Sequence, residues 1–177
     1  MPAVTFLVIM IGKMRGRLEG PPSVLAISSA GGHFVQLLRL MPAFAGCNLT
    51  VASTDQELAS EVWKQAARLK FPMVDFCVVI EANRWQRVRL LRSALSIFWL
   101  FLRIRPDVVV TTGAAPGYFS LWIGGFLGAR TIWIDSIANA EEISLAGQKA
   151  GRHADLWLTQ WPDLAREAGP HFKGAVL

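Results

Sequence analysis

Cysteine is scarce in this chain, and its two cysteines do not form a recognisable metal site. Cys47 and Cys77 lie far apart, and no histidine stands beside either of them. Structural zinc sites need cysteine and histidine ligands at short, fixed spacings, so we expect no bound metal. Two free thiols fit a protein of the reducing cytoplasm.

The sequence also lacks a long apolar run near its start. The run at residues 3–11 is shorter than the roughly 20 residues that a membrane-spanning helix requires. Lys13, Arg15 and Arg17 follow this run, whereas the charged segment of a secretory signal precedes its apolar core. We therefore expect residues 1–22 to be an apolar and basic segment that either lies in the membrane interface or has no structure. Residues 23–177 are expected to form one domain.

Acidic residues are fewer than basic ones: the chain has 13 aspartates and glutamates and 18 lysines and arginines. A net charge of +5 favours anionic lipid or phosphorylated substrates. Nucleic acid is not an expected partner, because there is no lysine-rich tail and the arginines stand beside apolar residues. The mean hydropathy of +0.37 is high for a small domain, which indicates that some apolar surface meets a membrane or a partner.

Apolar β-type runs alternate with helical segments after Pro21-Pro22. This alternation predicts an α/β fold with a parallel sheet covered by helices on both faces. The predicted strands are 24–28, 49–53, 74–80, 108–111, 131–135 and 156–159. The predicted helices are 32–41, 55–69, 85–104, 117–127 and 140–150.

Glycine and polar residues follow the first, fourth and fifth predicted strands. Because ligands bind beyond the carboxyl ends of parallel strands, these three loops predict a pocket. The adjacent Gly31 and Gly32 open a helix, whose first amides favour a phosphate, and His33 can move a proton. An ordinary turn with a solvated histidine is the alternative. The candidate binding residues are Ser29, Gly31, Gly32, Gly113, Pro116, Gly117, Asp135 and Ser136.

The predicted helix 85–104 combines arginines with apolar aromatic residues. Guanidinium groups pair with lipid phosphates and tryptophan favours the interface, so this helix is a candidate membrane surface. A core helix with solvated ends is the alternative. The candidate membrane residues are Arg84, Trp85, Arg87, Arg92, Phe98 and Trp99.

Three segments carry a family resemblance: Ser28–His33, Thr111–Gly117 and Asp155–Pro162, which ends in Gln-Trp-Pro. In this order they resemble the membrane-anchor subunit of the two-subunit UDP-GlcNAc transferase of lipid-linked oligosaccharide synthesis. They also resemble its bacterial relatives in exopolysaccharide and capsule synthesis. The resemblance covers about residues 23–177 and implies a Rossmann-like domain that is the N-terminal half of a GT-B glycosyltransferase.

The resemblance also implies an activity and partners. A small donor-binding subunit would supply the UDP-sugar, and this chain would hold a polyprenyl-phosphate-linked glycan at the cytoplasmic face of the inner membrane, peripherally or monotopically. The sugar would be GlcNAc, glucose, galactose or glucuronate, with no cofactor. His33 is the implied base that deprotonates the acceptor hydroxyl, and Glu141 and Asp135 are alternative bases or sugar-hydroxyl acceptors.

Two other functions compete with catalysis by this chain. The first is a non-catalytic membrane anchor that only recruits the donor-binding subunit. The second is a dinucleotide-dependent enzyme, which the sequence disfavours because Ser28–His33 lacks the third glycine of the fingerprint. The second strand also ends in Ala52-Ser53 rather than in an acidic residue.

Overall fold

A computed structural model describes residues 2–15, 20–81 and 85–176 of the protein. The helices are α1 (Pro2–Arg15), α2 (Gly32–Leu40), α3 (Ala59–Arg68), α4 (Arg87–Ile104), α5 (Ala114–Phe126) and α6 (Leu145–Ala150). The strands are β1 (Ser23–Ile27), β2 (Asn48–Ser53), β3 (Val74–Val78), β4 (Val108–Thr111), β5 (Arg130–Ile134), β6 (Leu156–Thr159) and β7 (His171–Phe172). Short 3-10 helices occur at Met41–Phe44, Gln56–Leu58 and Pro162–Leu164.

All seven strands pair in parallel, in the order β3-β2-β1-β4-β5-β6-β7. Helices cover both faces of the sheet, which explains why the central strands are buried and mostly apolar on both sides rather than at alternate positions only. Every residue of β4 is buried, for example. The predicted α/β fold with a doubly covered parallel sheet is confirmed.

Each face of the sheet has its own hydrophobic core. On one face α1, α2 and α3 pack over alternate strand residues such as Val24 and Val110. On the other face α4, α5 and α6 pack over the intervening residues, such as Leu25 and Trp133. This alternation follows from the two-residue period of a strand, and it separates the two helical layers that flank the candidate site.

The N-terminal segment contributes to the first of these cores. Ala3, Leu7 and Ile11 lie one helical turn apart on α1, and all three side chains are buried against the domain. The ammonium group of Lys173 lies 5.5 Å from the ring centre of Phe6 on the same helix. Residues 2–15 are therefore helical, and α1 packs on the domain through these buried residues. An interfacial location for residues 1–22 stays a prediction. No helix in the described ranges is both long and apolar enough to cross a membrane.

Two predicted helix starts are wrong. Helix α5 begins at Ala114 rather than at residue 117, because a proline such as Pro116 is tolerated in the first turn, where its missing N–H is not needed. Helix α6 begins at Leu145 rather than at residue 140, because the hydroxyl of Ser144 accepts a hydrogen bond from the amide of Gly147 and caps the helix there. The short strand β7 was not predicted; it adds two residues to the sheet edge.

Candidate functional site

The strand order reverses between β1 and β4. Chain connections leave these two neighbouring strands in opposite directions, which opens a crevice beyond their carboxyl ends. Ile27 pairs with Thr111 at this edge, so the loops that follow both strands start at the same level. The glycine loop before α2 and the glycine turn before α5 therefore face each other across the crevice.

His33 joins these two loops. Its Nδ1 atom lies 2.8 Å from the carbonyl oxygen of Thr112, and the hydroxyl of Thr112 donates a hydrogen bond of 2.7 Å to the carbonyl oxygen of His33. The two residues are 79 positions apart in the sequence. This reciprocal pair fixes the half-buried imidazole at the mouth of the crevice.

The contact with Thr112 determines which ring nitrogen of His33 carries the proton. A carbonyl oxygen can only accept a hydrogen bond, so Nδ1 must be the donor. In a neutral imidazole the other nitrogen, Nε2, then keeps its lone pair. The geometry thus leaves His33 with a basic nitrogen that can accept a proton from a bound molecule.

Gly113 makes room for the imidazole. An added Cβ at this position would lie 2.7 Å from Cε1 and 2.8 Å from Nδ1 of His33. The backbone of Gly113 also has φ 133° and ψ −166°, a conformation essentially restricted to glycine. A side chain at residue 113 would therefore both strain the turn and displace His33.

Two helix N-termini point into the crevice without a side-chain cap. Gly31 precedes α2 and Gly113 precedes α5, and neither can supply a capping side chain. The first N–H groups of a helix have no intrahelical partner, and the helix dipole makes this end partly positive. The crevice therefore offers backbone donors to an anionic group such as a phosphate.

Asp135 has a different environment from the one expected of a ligand-binding carboxylate. Its side chain is 2% exposed, and its two oxygens accept hydrogen bonds from four protein donors. These donors are Trp133 Nε1, Ser144 Oγ, Asn139 Nδ2 and the Ser144 amide. The carboxylate thus holds the loop after β5, and its predicted binding of substrate stays a prediction.

Two buried glutamines hold the backbone of the same loop. The amide groups of Gln36 and Gln160 donate to the carbonyl oxygen of Asp135 at 3.2 and 2.9 Å. The carbonyl of Gln36 accepts from the amide of Ile137, and the indole of Trp161 donates to the carbonyl of Ile137. The Gln-Trp pair of the Gln-Trp-Pro motif therefore anchors the loop after β5.

The other predicted binding residues fall into two groups. Ser29, Gly31, Gly32 and Ser136 line the loops at the carboxyl edge, and the hydroxyl of Ser136 accepts from the amide of Ala138. The second group, Pro116 and Gly117, is buried in the first turns of α5. An added Cβ at Gly117 would overlap the hydroxyl of Thr111, so this glycine lets α5 approach β4. Direct contact of either group with a ligand stays a prediction.

Glu141, the second predicted catalytic residue, lies on the exposed part of the loop after β5. Among the described residues it makes no hydrogen bond or ion pair, so nothing in the structure joins it to His33. Its predicted role as a base stays a prediction.

The predicted membrane helix is exposed along its outer side. Trp85 and Trp99 are 79% and 68% exposed, and Arg87 and Arg92 are also exposed. Phe98 is half-buried against the core, and Arg84 lies outside the described residues. Apolar exposed side chains recur every three or four residues along α4: Val88, Leu91, Leu95, Trp99 and Leu102.

Sequence analysis did not identify Thr112 or Gln36. Thr112 contacts the His33 ring through its backbone carbonyl, which no residue type reveals, and its hydroxyl donates to the carbonyl of His33, a residue 79 positions away in the sequence. Gln36 could have been found, because it is a polar residue one turn after His33 on the side of α2 that otherwise buries Phe34, Leu37 and Leu40.

The chain is similar to curated UDP-N-acetylglucosamine transferase subunits named ALG14. The subunit of Eremothecium gossypii is 30% identical over 180 residues, which cover 88% of this chain and 80% of the relative. The subunit of Homo sapiens is 25% identical over 186 residues, covering 90% of this chain and 86% of the relative. No family model matches the chain.

Solved structures of larger proteins share the fold. MurG of Acinetobacter baumannii superposes with a TM-score of 0.64 at 14% identity, covering 88% of this chain and 46% of MurG. The UDP-GlcNAc 2-epimerase of Neisseria meningitidis superposes with a TM-score of 0.55 at 10% identity, covering 77% of this chain and 40% of the epimerase. The chain thus spans less than half the length of each of these proteins, and at these identities the likeness concerns the fold alone.

Proposed function

The chain belongs to the family of UDP-N-acetylglucosamine transferase subunits named ALG14, and from this membership we propose that it is the acceptor-binding half of a two-subunit glycosyltransferase. A separate donor-binding subunit completes the enzyme and holds the UDP-sugar. Of the four sugars considered, GlcNAc is favoured, because the relatives are named for UDP-GlcNAc transfer. The acceptor substrate is a glycan or sugar linked through diphosphate to a polyprenyl lipid.

The observation that carries this proposal is the position of His33. Its ring is held on the carbonyl of Thr112 at the crevice between β1 and β4, with Nε2 available as a base. In the transfer step a hydroxyl of the acceptor substrate attacks the anomeric carbon of the UDP-sugar. The new carbon–oxygen bond forms, the bond to UDP breaks, and His33 Nε2 takes the hydroxyl proton.

The uncapped N-termini of α2 and α5 would bind the diphosphate of the acceptor substrate. Both helices direct backbone N–H groups into the crevice, and neither Gly31 nor Gly113 carries a side chain that competes for them. A diphosphate bound there would place the first sugar near His33. This arrangement needs no metal ion to neutralise the acceptor phosphates.

The outer side of α4 and α5 is the proposed membrane surface. Trp99 on α4 and Trp122 and Phe126 on α5 are exposed, and the two helices pack against each other, which supports a shared apolar surface. Arg87 and Arg92 at the start of α4 supply positive charge for anionic headgroups. The domain would therefore lie on the cytoplasmic face of the membrane that contains the lipid-linked substrate.

Flotation with vesicles tests this membrane surface. We expect the complex to float with vesicles that contain phosphatidylglycerol, and the double variant Trp99→Ser/Trp122→Ser to stay at the bottom of the gradient. Trp63→Ser is the matched control, because Trp63 is 54% exposed on α3, on the opposite face of the sheet. If the control and the double variant lose binding equally, the α4–α5 side is not the membrane surface.

A transfer assay tests the activity itself. The chain is co-expressed with its small donor-binding partner, and membranes are given radiolabelled UDP-GlcNAc, UDP-glucose, UDP-galactose or UDP-glucuronate in parallel. We expect label from UDP-GlcNAc to enter the lipid extract only when both chains are present. A stable complex that transfers no sugar from any donor would contradict the proposed activity and favour the non-catalytic anchor.

A further inference from the structure

We propose that Asp135 is a positioning residue that fixes the loop of residues 136–144 beside the bound acceptor substrate, an assignment that rests on the proposed function. This loop carries Ser136, which the sequence predicts as a substrate contact, and Glu141, which it predicts as an alternative base or sugar-hydroxyl acceptor. This role replaces the direct substrate contact that the sequence predicts for Asp135, because Asp135 itself would not touch the substrate. Its carboxylate sets where the loop lies, and the loop forms one wall of the acceptor site.

The hydrogen bonds of the carboxylate support this role. One oxygen accepts from Trp133 Nε1 at 3.1 Å and from Ser144 Oγ at 2.7 Å. The other accepts from Asn139 Nδ2 at 3.2 Å and from the Ser144 amide at 3.0 Å. Two protein donors thus occupy each oxygen, which uses the acceptor capacity of a carboxylate fully and leaves none for a sugar hydroxyl.

The partners of Asp135 span the whole loop. Trp133 lies in β5, Asn139 lies in the middle of the loop, and Ser144 is its last residue and the cap of α6. A single buried carboxyl group therefore ties the end of β5 to the middle and the end of the loop. An added Cβ at Gly147 would lie 2.8 Å from the carboxylate, so α6 approaches Asp135 closely because this residue is glycine.

The backbone of Asp135 links the same loop to the helix of the proposed base. Its carbonyl oxygen accepts from Gln36, which stands one turn after His33 on α2, and from Gln160. The distance between His33 and the loop is thus set by hydrogen bonds through Asp135. Displacement of the loop would change how the acceptor substrate is held without changing the contact of His33 with Thr112.

The test replaces the carboxylate by the nearly isosteric amide. In Asp135→Asn an NH2 group must face one pair of donors, so the loop loses hydrogen bonds while the volume is kept. Ser144→Ala is the milder second variant, because it removes a hydroxyl that bonds both Asp135 and the amide of Gly147. Asp75→Asn, at an exposed position of the edge strand β3, is the matched control.

Two readouts are taken on the complete two-subunit complex. For Asp135→Asn we expect the KM for the lipid-linked acceptor to rise about tenfold, since one or two charge-assisted hydrogen bonds are lost, with kcat within about threefold of the wild type. Hydrogen exchange of the Ser144 amide should accelerate about tenfold for the same reason. The pH dependence of kcat should not move, and Ser144→Ala should shift KM and exchange in the same direction by less.

Three results would overturn the proposal. A large loss of kcat at unchanged KM would mean that Asp135 acts in the chemical step. Unchanged exchange of the Ser144 amide would mean that the carboxylate does not hold the loop. Faster exchange at unchanged KM would mean that the loop does not meet the acceptor substrate. If the wild-type complex transfers no sugar, the proposed function fails, and the exchange experiment still decides whether Asp135 holds the loop.

Discussion

Replacing Gly113 by alanine tests the arrangement of His33 most sharply, because two separate costs arise at one position. The backbone conformation with φ 133° is strained for alanine, which costs about 1–3 kcal/mol. The new methyl group would also lie 2.7 Å from the imidazole of His33, which must move and lose its hydrogen bond to Thr112. That loss adds about 0.5–1.5 kcal/mol.

The two costs can be separated in a double-mutant cycle. In a His33→Ala background the steric conflict is gone, so Gly113→Ala should cost only the backbone strain. We therefore expect the free energy of unfolding to fall by roughly 1.5–4.5 kcal/mol in the wild-type background. The fall should be smaller by about 1 kcal/mol in the His33→Ala background. Urea denaturation followed by tryptophan fluorescence measures all four proteins.

Gly128→Ala is the control for a positive φ without a steric conflict. Gly128 has φ 87°, and an added Cβ would meet nothing within 4 Å. Its cost should be the same in both backgrounds, because it does not contact His33. If Gly113→Ala also lowers the free energy of unfolding equally in both backgrounds, within about 0.5 kcal/mol, the imidazole does not lie against Gly113. The contact of Nδ1 with Thr112 would then not hold the ring with Nε2 free to act as a base.

Three further predictions concern packing and reactivity. Leu7→Ala should lower the free energy of unfolding by about 2–5 kcal/mol in urea denaturation, because Leu7 is fully buried. Val8→Ala, at a 45% exposed position, should change it little. Equal effects of the two substitutions would refute the packing of α1. Gly117→Ala should lower the free energy of unfolding by about 1–3 kcal/mol in the same assay, because the new methyl group would overlap Thr111. An unchanged stability would show that α5 does not approach β4 closely. Partial burial raises the pKa of the Cys77 thiol, so its thiolate fraction at about pH 8 is lower than that of a small model thiol. Iodoacetamide should therefore modify Cys77 more slowly than the model thiol, as measured by mass spectrometry, and an equal rate would contradict its partly buried position.

The sheet and the edge that carries the site could be predicted from local patterns. Residues 108–110 form an unbroken run of valines, as a strand covered on both faces favours, and β4 has the predicted bounds. The glycine turns after β1 and β4 were correctly placed at the carboxyl edge, because all strands of a parallel sheet end there. These features depend on residue type and spacing within a few positions.

The contacts within the site could not be predicted in the same way. The His33 ring meets a backbone carbonyl 79 residues away, and a carbonyl belongs to every residue type. Asp135 was predicted as a candidate ligand because it follows a strand, as functional carboxylates often do. Only the folded loop shows that Asn139 and Ser144 return to its carboxylate and occupy it.

The start of α5 shows why the ends of helices were predicted less accurately than their presence. Proline usually marks the end of an element, so the prediction placed Pro116 before the helix. In the structure α5 begins three residues before the predicted start, at Ala114, which has φ 65°. Ala114 directly follows the turn at Gly113, whose amide donates to the hydroxyl of Thr111 and whose α-carbon lies against the His33 ring.

The most direct test of the proposed function is the transfer rate of His33→Ala in the complete two-subunit complex. We expect the initial rate of GlcNAc transfer to the lipid acceptor to fall by about 100-fold or more, because general base catalysis contributes at least that factor. Complex formation and vesicle flotation should be unchanged, since His33 lies at the crevice and away from the outer side of α4 and α5. A transfer rate within about twofold of the wild type would contradict a base role for His33 and leave the chain as a non-catalytic anchor.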